Sequence, residues 1–102
     1  MCIFNFGRNC KTLLALAHVH AQISSIDEWK DYFEMGSQMI DEIGFADIDI
    51  ARLTQLAGEA LLANGFQEEA KRSLSFARDH WDLLERDDMA AALTDLISDF
   101  EA

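Results

Sequence analysis

The segment SIDEWKDYFEMGSQMIDEIGF, residues 25–45, decides the fold class. Ile26, Trp29, Phe33, Gly36, Ile40 and Ile43 recur at intervals of three and four, which places them on one stripe of a helix. Asp27, Asp31, Glu34 and Asp41 fall on the opposite side. The ends carry signals too. Ser25 followed by Glu28 fits a capping box, in which hydroxyl and carboxylate each take up an otherwise unpaired amide. Gly44 stands where a left-handed C-cap is needed, with Phe45 placed to fold back on Ile40.

The same reading extends in both directions. Upstream, a helix is expected from about Lys11 to Ser24, with Asn9 or Thr12 as N-cap. Leu13, Leu16, Ala17 and His20 mark one face and Leu14, Val19 and Ala21 widen it, so this helix should be covered on more than one side. Downstream, Asp47 or Asp49 opens a third helix carrying Ile50, Leu53, Leu56, Ala57, Ala60 and Leu61, which stops at Asn64–Gly65. Phe66 stands to Leu61 as Phe45 stands to Ile40. Glu68 and Glu69, acids suited to the positive end of a helix dipole, open the fourth, with Ala70, Leu74, Ala77, Trp81 and Leu84 on its stripe. Asp87 or Asp88 caps a fifth, striped by Met89, Leu93, Leu96, Ile97 and Phe100. Connections of a few residues make neighbouring helices antiparallel. Only Ile3 to Phe6 alternates with a period of two, so the expectation is one all-α domain over residues 1–102, residues 1–9 forming an apolar tail.

Composition narrows the function classes. In 102 residues there are 8 Lys+Arg against 19 Asp+Glu, a net charge of −11, which disfavours a surface that neutralises nucleic acid or anionic lipid. Half the residues are apolar and proline is absent, which excludes a disordered or collagen-like chain. Cys2 and Cys10 have seven residues between them, matching neither a metal knuckle nor a redox pair. Reduced thiols, no secretory signal pattern and no window near the ~20 apolar residues of a membrane span point to a cytoplasmic protein.

A resemblance lies in residues 50–82. Gly58-Glu59-Ala60-Leu61, Gly65-Phe66-Gln67-Glu68-Glu69-Ala70, Leu74 and Ala77 together resemble a tetratricopeptide repeat. That family keeps small residues where the two helices of a hairpin cross, the places of Gly58, Ala70 and Ala77, and a glycine near the turn, the place of Gly65. Leu61 and Leu74 take its large apolar positions. The chain departs at Thr54, Ala57 and Asp82, where the family has an aromatic residue, a leucine and a proline. The resemblance implies a close-packed helical hairpin and, by analogy of fold, a role in binding other proteins. An ordinary antiparallel pair in a small bundle fits the same residues.

Catalytic and metal constellations are not expected. His18 and His20 point about 200° apart on a helix and cannot share one ion. His80, beside Trp81, reads as a structural imidazole. The carboxylate pairs Asp41–Glu42, Glu68–Glu69 and Asp87–Asp88 sit at helix ends, where capping accounts for them. The serines have no base beside them, and the five glycines are never close enough for a phosphate cradle. The chain therefore reads as a non-enzyme without a cofactor.

Charge placement says more. After Arg86 there is no base, and Asp87, Asp88, Asp95, Asp99 and Glu101 follow, Asp88, Asp95 and Asp99 falling on one helix face. Such a face either solvates the protein or meets a basic partner. Apolar surplus is the other clue: Met1, Ile3, Phe4 and Phe6 precede the first helix, and Phe76 and Leu83 lie beside the stripe of the fourth. Left exposed, they would mark a surface for another protein or a second copy. The expected partner-binding residues are Asp87, Asp88, Asp95, Asp99, Phe76 and Leu83. The expected function is a small helical interaction module, adaptor or chaperone-like, whose partner is a protein with a basic surface rather than nucleic acid or membrane. The alternative is an acidic inhibitor, of the kind carried by phages and mobile elements, that covers a nucleic-acid-binding surface on its target.

Overall fold

The structure, a computed structural model, describes residues 4–44 and 46–101. It is all-α: α1 (Phe4–Gln22), α2 (Ile26–Ile43), α3 (Ile48–Ala63), α4 (Gln67–Leu83) and α5 (Asp87–Glu101), with no strand among the described residues. The first helix begins at Phe4, seven residues before the expected Lys11, so Asn9 and Thr12 lie inside it rather than capping it. Residues 4–9 are therefore helical and not a tail. Nothing in Phe4-Asn5-Phe6-Gly7-Arg8-Asn9 forbids this, because proline is absent and one interior glycine costs only about 1 kcal/mol. Cys2, Ile3, Phe45 and the side chains of Phe4 and Phe6 lie outside the described set, and with them the expectations that rested on those groups.

Three of the four connections share one geometry. Ser24, Gly65 and Glu85 each adopt a left-handed backbone, with φ of 61°, 89° and 59°. The residue after each reaches back five positions: Ser25 N–H to His20 O, Phe66 N–H to Leu61 O and Arg86 N–H to Trp81 O, all 2.9 Å. This wrap closes the last turn of the preceding helix. It also removes the capping box expected at Ser25. The Ser25 amide that Glu28 would have satisfied is already bonded, and the Ser25 hydroxyl makes no cap bond. The α2–α3 connection differs. Gly44, at φ 67°, donates to Ile40 O, and Asp47 caps α3 by accepting the Asp49 N–H at 2.8 Å. Asp87 lies inside α5 rather than ahead of it.

Packing follows the stripes. α2 buries Trp29, Phe33, Gly36 and Ile40 against α1, which buries Cys10, Leu14, Ala17 and Ala21. α1 also lies on α3, α3 on α4, and α4 on α5. Phe33 of α2 meets Phe76 of α4 edge-on at 5.7 Å, with Arg72 5.5 Å over the Phe33 ring. On α3 the buried side is Ile50, Ala51, Thr54, Ala57, Gly58 and Leu61. Leu56, expected to face inward, is instead 40% exposed, and Thr54 takes a core position. Thr54 is tolerated there because its hydroxyl donates to Ile50 O at 2.9 Å, and its carbonyl accepts the Ser73 hydroxyl at 2.6 Å. The result is a slab 17 Å in its thinnest extent, close to two helix layers. The α3–α4 pair is an antiparallel hairpin; the structure does not by itself display a tetratricopeptide repeat.

Candidate functional site

The aspartates of α5 project into solvent: Asp87, Asp88, Asp95 and Asp99 are all exposed. Arg86 lies 3.7 Å from Asp88 and 5.6 Å over the Trp81 ring. Leu93 and Ile97 hold α5 to the core from the other side. Asp87 and Asp88 occupy its first turn, where the helix dipole favours them, and no base occupies its last.

Phe76 and Leu83 border one hollow, whose lining includes none of those aspartates. Phe76 is half-buried between Phe33 and His80, its ring stacked 5.7 Å from the imidazole, whereas Leu83 is 67% exposed. Both border a hollow of about 360 Å³ between α4 and the end of α2, with Ile40 and Gly44 on the far wall and Asp41 and Asp79 on its rim. His80, also at this hollow, has no lone pair free for chemistry at Nε2. That atom accepts the Asp47 N–H at 2.9 Å, and burial pushes the imidazole below its usual range, against the opposing pull of Asp47 and Asp41. It ties the α2–α3 connection to α4. His20 is likewise committed, with Nδ1–H donating to Leu16 O at 2.7 Å and its ring 5.3 Å from that of Tyr32. Cys10 is a buried free thiol, raised by that burial. No group of three or more metal-ligating side chains occurs among the described residues. No helix among them is long and apolar enough to cross a membrane.

The most developed surface is one the sequence reading did not single out. Ile48, Arg52 and Leu56 are four apart on α3, so they form a ridge along the helix, and all three are exposed. A hollow lies on each side. Towards α1 it measures about 380 Å³ and is walled by Thr12 and Ala15, with Arg52, Leu53 and Leu56 opposite. Towards α5 it measures about 350 Å³ and is bordered by Arg86 and Met89, with Trp81 lining it as well. Arg52 and Leu56 border both hollows. The signal was present as the spacing 48, 52, 56, but charge read in blocks passes over a single arginine between two apolar residues.

The cations around the ridge are not equivalent. Lys11 is held by Asp47 at 3.1 Å and Asp49 at 3.3 Å, and these carboxylates raise its pKa. Arg86 is engaged by Asp88 and Trp81. The Gln55 amide beneath is also spent, accepting the Trp81 indole N–H at 2.9 Å and donating to Glu59 at 3.3 Å. Arg52 forms no ion pair among the described residues, in a chain where acids outnumber bases by 19 to 8. No family model matches this sequence, and comparison with curated proteins and with solved structures gave no match either.

Proposed function

We propose that this protein is a small protein–protein interaction module, adaptor or chaperone-like, acting in the cytoplasm and without catalytic activity. The observation that carries the reading is the ridge of α3: Ile48 and Leu56, 45% and 40% exposed, flank an arginine between two hollows. Large apolar groups held exposed beside concave surface are what a partner covers. The likeness of residues 50–82 to a tetratricopeptide hairpin supports the same reading by analogy of fold. The test places a photo-crosslinking amino acid at Leu56, Leu83 or Asp95 of the full chain in its native host. A discrete adduct with one protein at one of these positions, absent from the same label at Gln38, is expected. No adduct at any of the three would count against an interaction module.

The exposed aspartates of α5 favour a second reading, the acidic inhibitor that covers a basic nucleic-acid-binding surface. Carboxylates spaced along a helix can stand in for phosphates, and such binding weakens as salt rises. Here the adduct would form at position 95, and substituting Asp88→Lys with Asp99→Lys in that labelled chain would abolish it. Self-association through Leu83 would appear instead as an adduct between two copies of the chain.

A further inference from the structure

Resting on the interaction-module reading, we propose that the α1–α3–α5 face binds an acidic, apolar peptide segment of a partner protein. The segment would lie across the Ile48–Arg52–Leu56 ridge, with one large apolar side chain in each hollow and a carboxylate on Arg52. Arg52 points to an acidic occupant rather than a basic one, and the walls beside it to large apolar side chains. Arg52 is the ridge cation that the described residues leave unpaired, while Lys11 and Arg86 each have carboxylate partners of their own. A guanidinium presents a planar fork that matches a carboxylate with two parallel hydrogen bonds. The walls beside it carry apolar groups, Ala15 and Leu53 on the α1 side and Trp81 and Met89 on the α5 side, and Asp49, the carboxylate that also lines the α1-side hollow, is paired with Lys11 at 3.3 Å. Hollows of about 380 and 350 Å³ are large enough for a leucine or phenylalanine side chain each, and their shared border at Arg52 and Leu56 sets the charge between the two apolar contacts.

Charge also gives specificity. A chain of net charge −11 repels acidic segments almost everywhere, so an acidic peptide that binds at all is directed to a local cationic point. A basic peptide would be drawn to the exposed aspartates of α5 instead.

The test is selection of a displayed library of random 16-residue peptides against the full chain, followed by fluorescence anisotropy of the winners. Enriched peptides are expected to pair Asp or Glu with Leu, Ile, Phe or Trp. Their binding should fall at least about tenfold with Arg52→Glu and with Leu56→Asp, and stay unchanged with Asp95→Lys plus Asp99→Lys. Replacing the peptide's acid by lysine should restore binding to the Arg52→Glu variant, a rescue that misfolding would not allow. Enrichment of basic peptides that depend on Asp95 and Asp99 would overturn this proposal while leaving the interaction-module reading intact. Acidic peptides indifferent to Arg52→Glu, or no enrichment at all, would also overturn it, and the crosslinking experiment decides the broader reading separately.

Discussion

Gly58 of α3 faces Leu74 of α4 so closely that a Cβ on Gly58 would lie 2.5 Å from Leu74 Cγ and 3.2 Å from its backbone nitrogen. Leu74 is fully buried and has little room to retreat. Substituting Gly58→Ala should therefore destabilise by about 1–3 kcal/mol of overpacking, outweighing the roughly 1 kcal/mol that alanine gains in helix propensity. Thermal unfolding followed by circular dichroism would show a melting temperature lowered by several degrees. An unchanged or higher value would mean that the hairpin opens at little cost.

His80 makes the fold sensitive to mild acid. Buried and accepting the Asp47 N–H, it holds its imidazole neutral, below its unfolded value of about 6.5. A depressed value contributes stability that is intact above that pH. As pH falls below it, the unfolded chain takes up a proton that the folded chain refuses, and stability drops. His18, also lowered by burial, acts in the same direction. Asp47 enters only at lower pH: burial raises it, but the Asp49 amide and Lys11 outweigh this and bring it below its usual range. Urea midpoints at pH 7.5 and 5.5 should differ less for His80→Gln than for the parent chain. Equal differences would remove His80 from this account.

The two tryptophans are buried alike but bonded differently. Trp81 donates its indole N–H to Gln55 at 2.9 Å and carries Arg86 over its ring, whereas the Trp29 N–H has no hydrogen-bond partner among the described residues. Trp81→Phe forfeits those contacts as well as volume, while Trp29→Phe forfeits volume and removes an unpaired donor. Trp81→Phe should be the more destabilising by about 1–2 kcal/mol in urea unfolding. The reverse order would contradict these assignments.

On α5, stability and recognition pull apart. Asp95 and Asp99 repel at a spacing of four, close to the negative end of the helix dipole and with no base in the last turn. Asp99→Lys should raise the melting temperature by about 2–5 °C at low salt, less at high salt. If the acidic face serves an inhibitor, the same variant loses its target while gaining stability. Loss of both together would point to damage of the helix.

Most of this architecture could be read from the chain, because α2, α4 and α5 carry strong stripes of one period and α3 ends at a glycine. The turns at Ser24 and Glu85 were harder. Both adopt a conformation usually given to glycine, held by the wrapped hydrogen bonds of the neighbouring residues and by their own N–H bonds to Ala21 O and Asp82 O. The face of α3 was read with Leu56 inward because periodicity ranks side chains by hydropathy. The close approach at Gly58 and the bonded pair Thr54–Ser73 decided otherwise. Of the candidate site, Phe76 and Leu83 do share a hollow, and the α5 aspartates do share an exposed helix. Arg52 drew no notice, since its significance comes from what α1 and α5 place around it rather than from its neighbours in the chain.

Except for α1 against α3, every principal pairing among the described residues joins helices consecutive along the chain, and α5 has its principal packing on α4. Those consecutive closures span short loops, with little entropy to overcome before contacts form, and only α1 on α3 must bridge the length of α2. The molecule can assemble by successive hairpins within about microseconds to milliseconds, the range of helical proteins rich in local contacts. It should come apart in the opposite sense. Amide exchange ought to begin in α5, with the paired hairpins around Leu14 and Leu74 the last to surrender their protons.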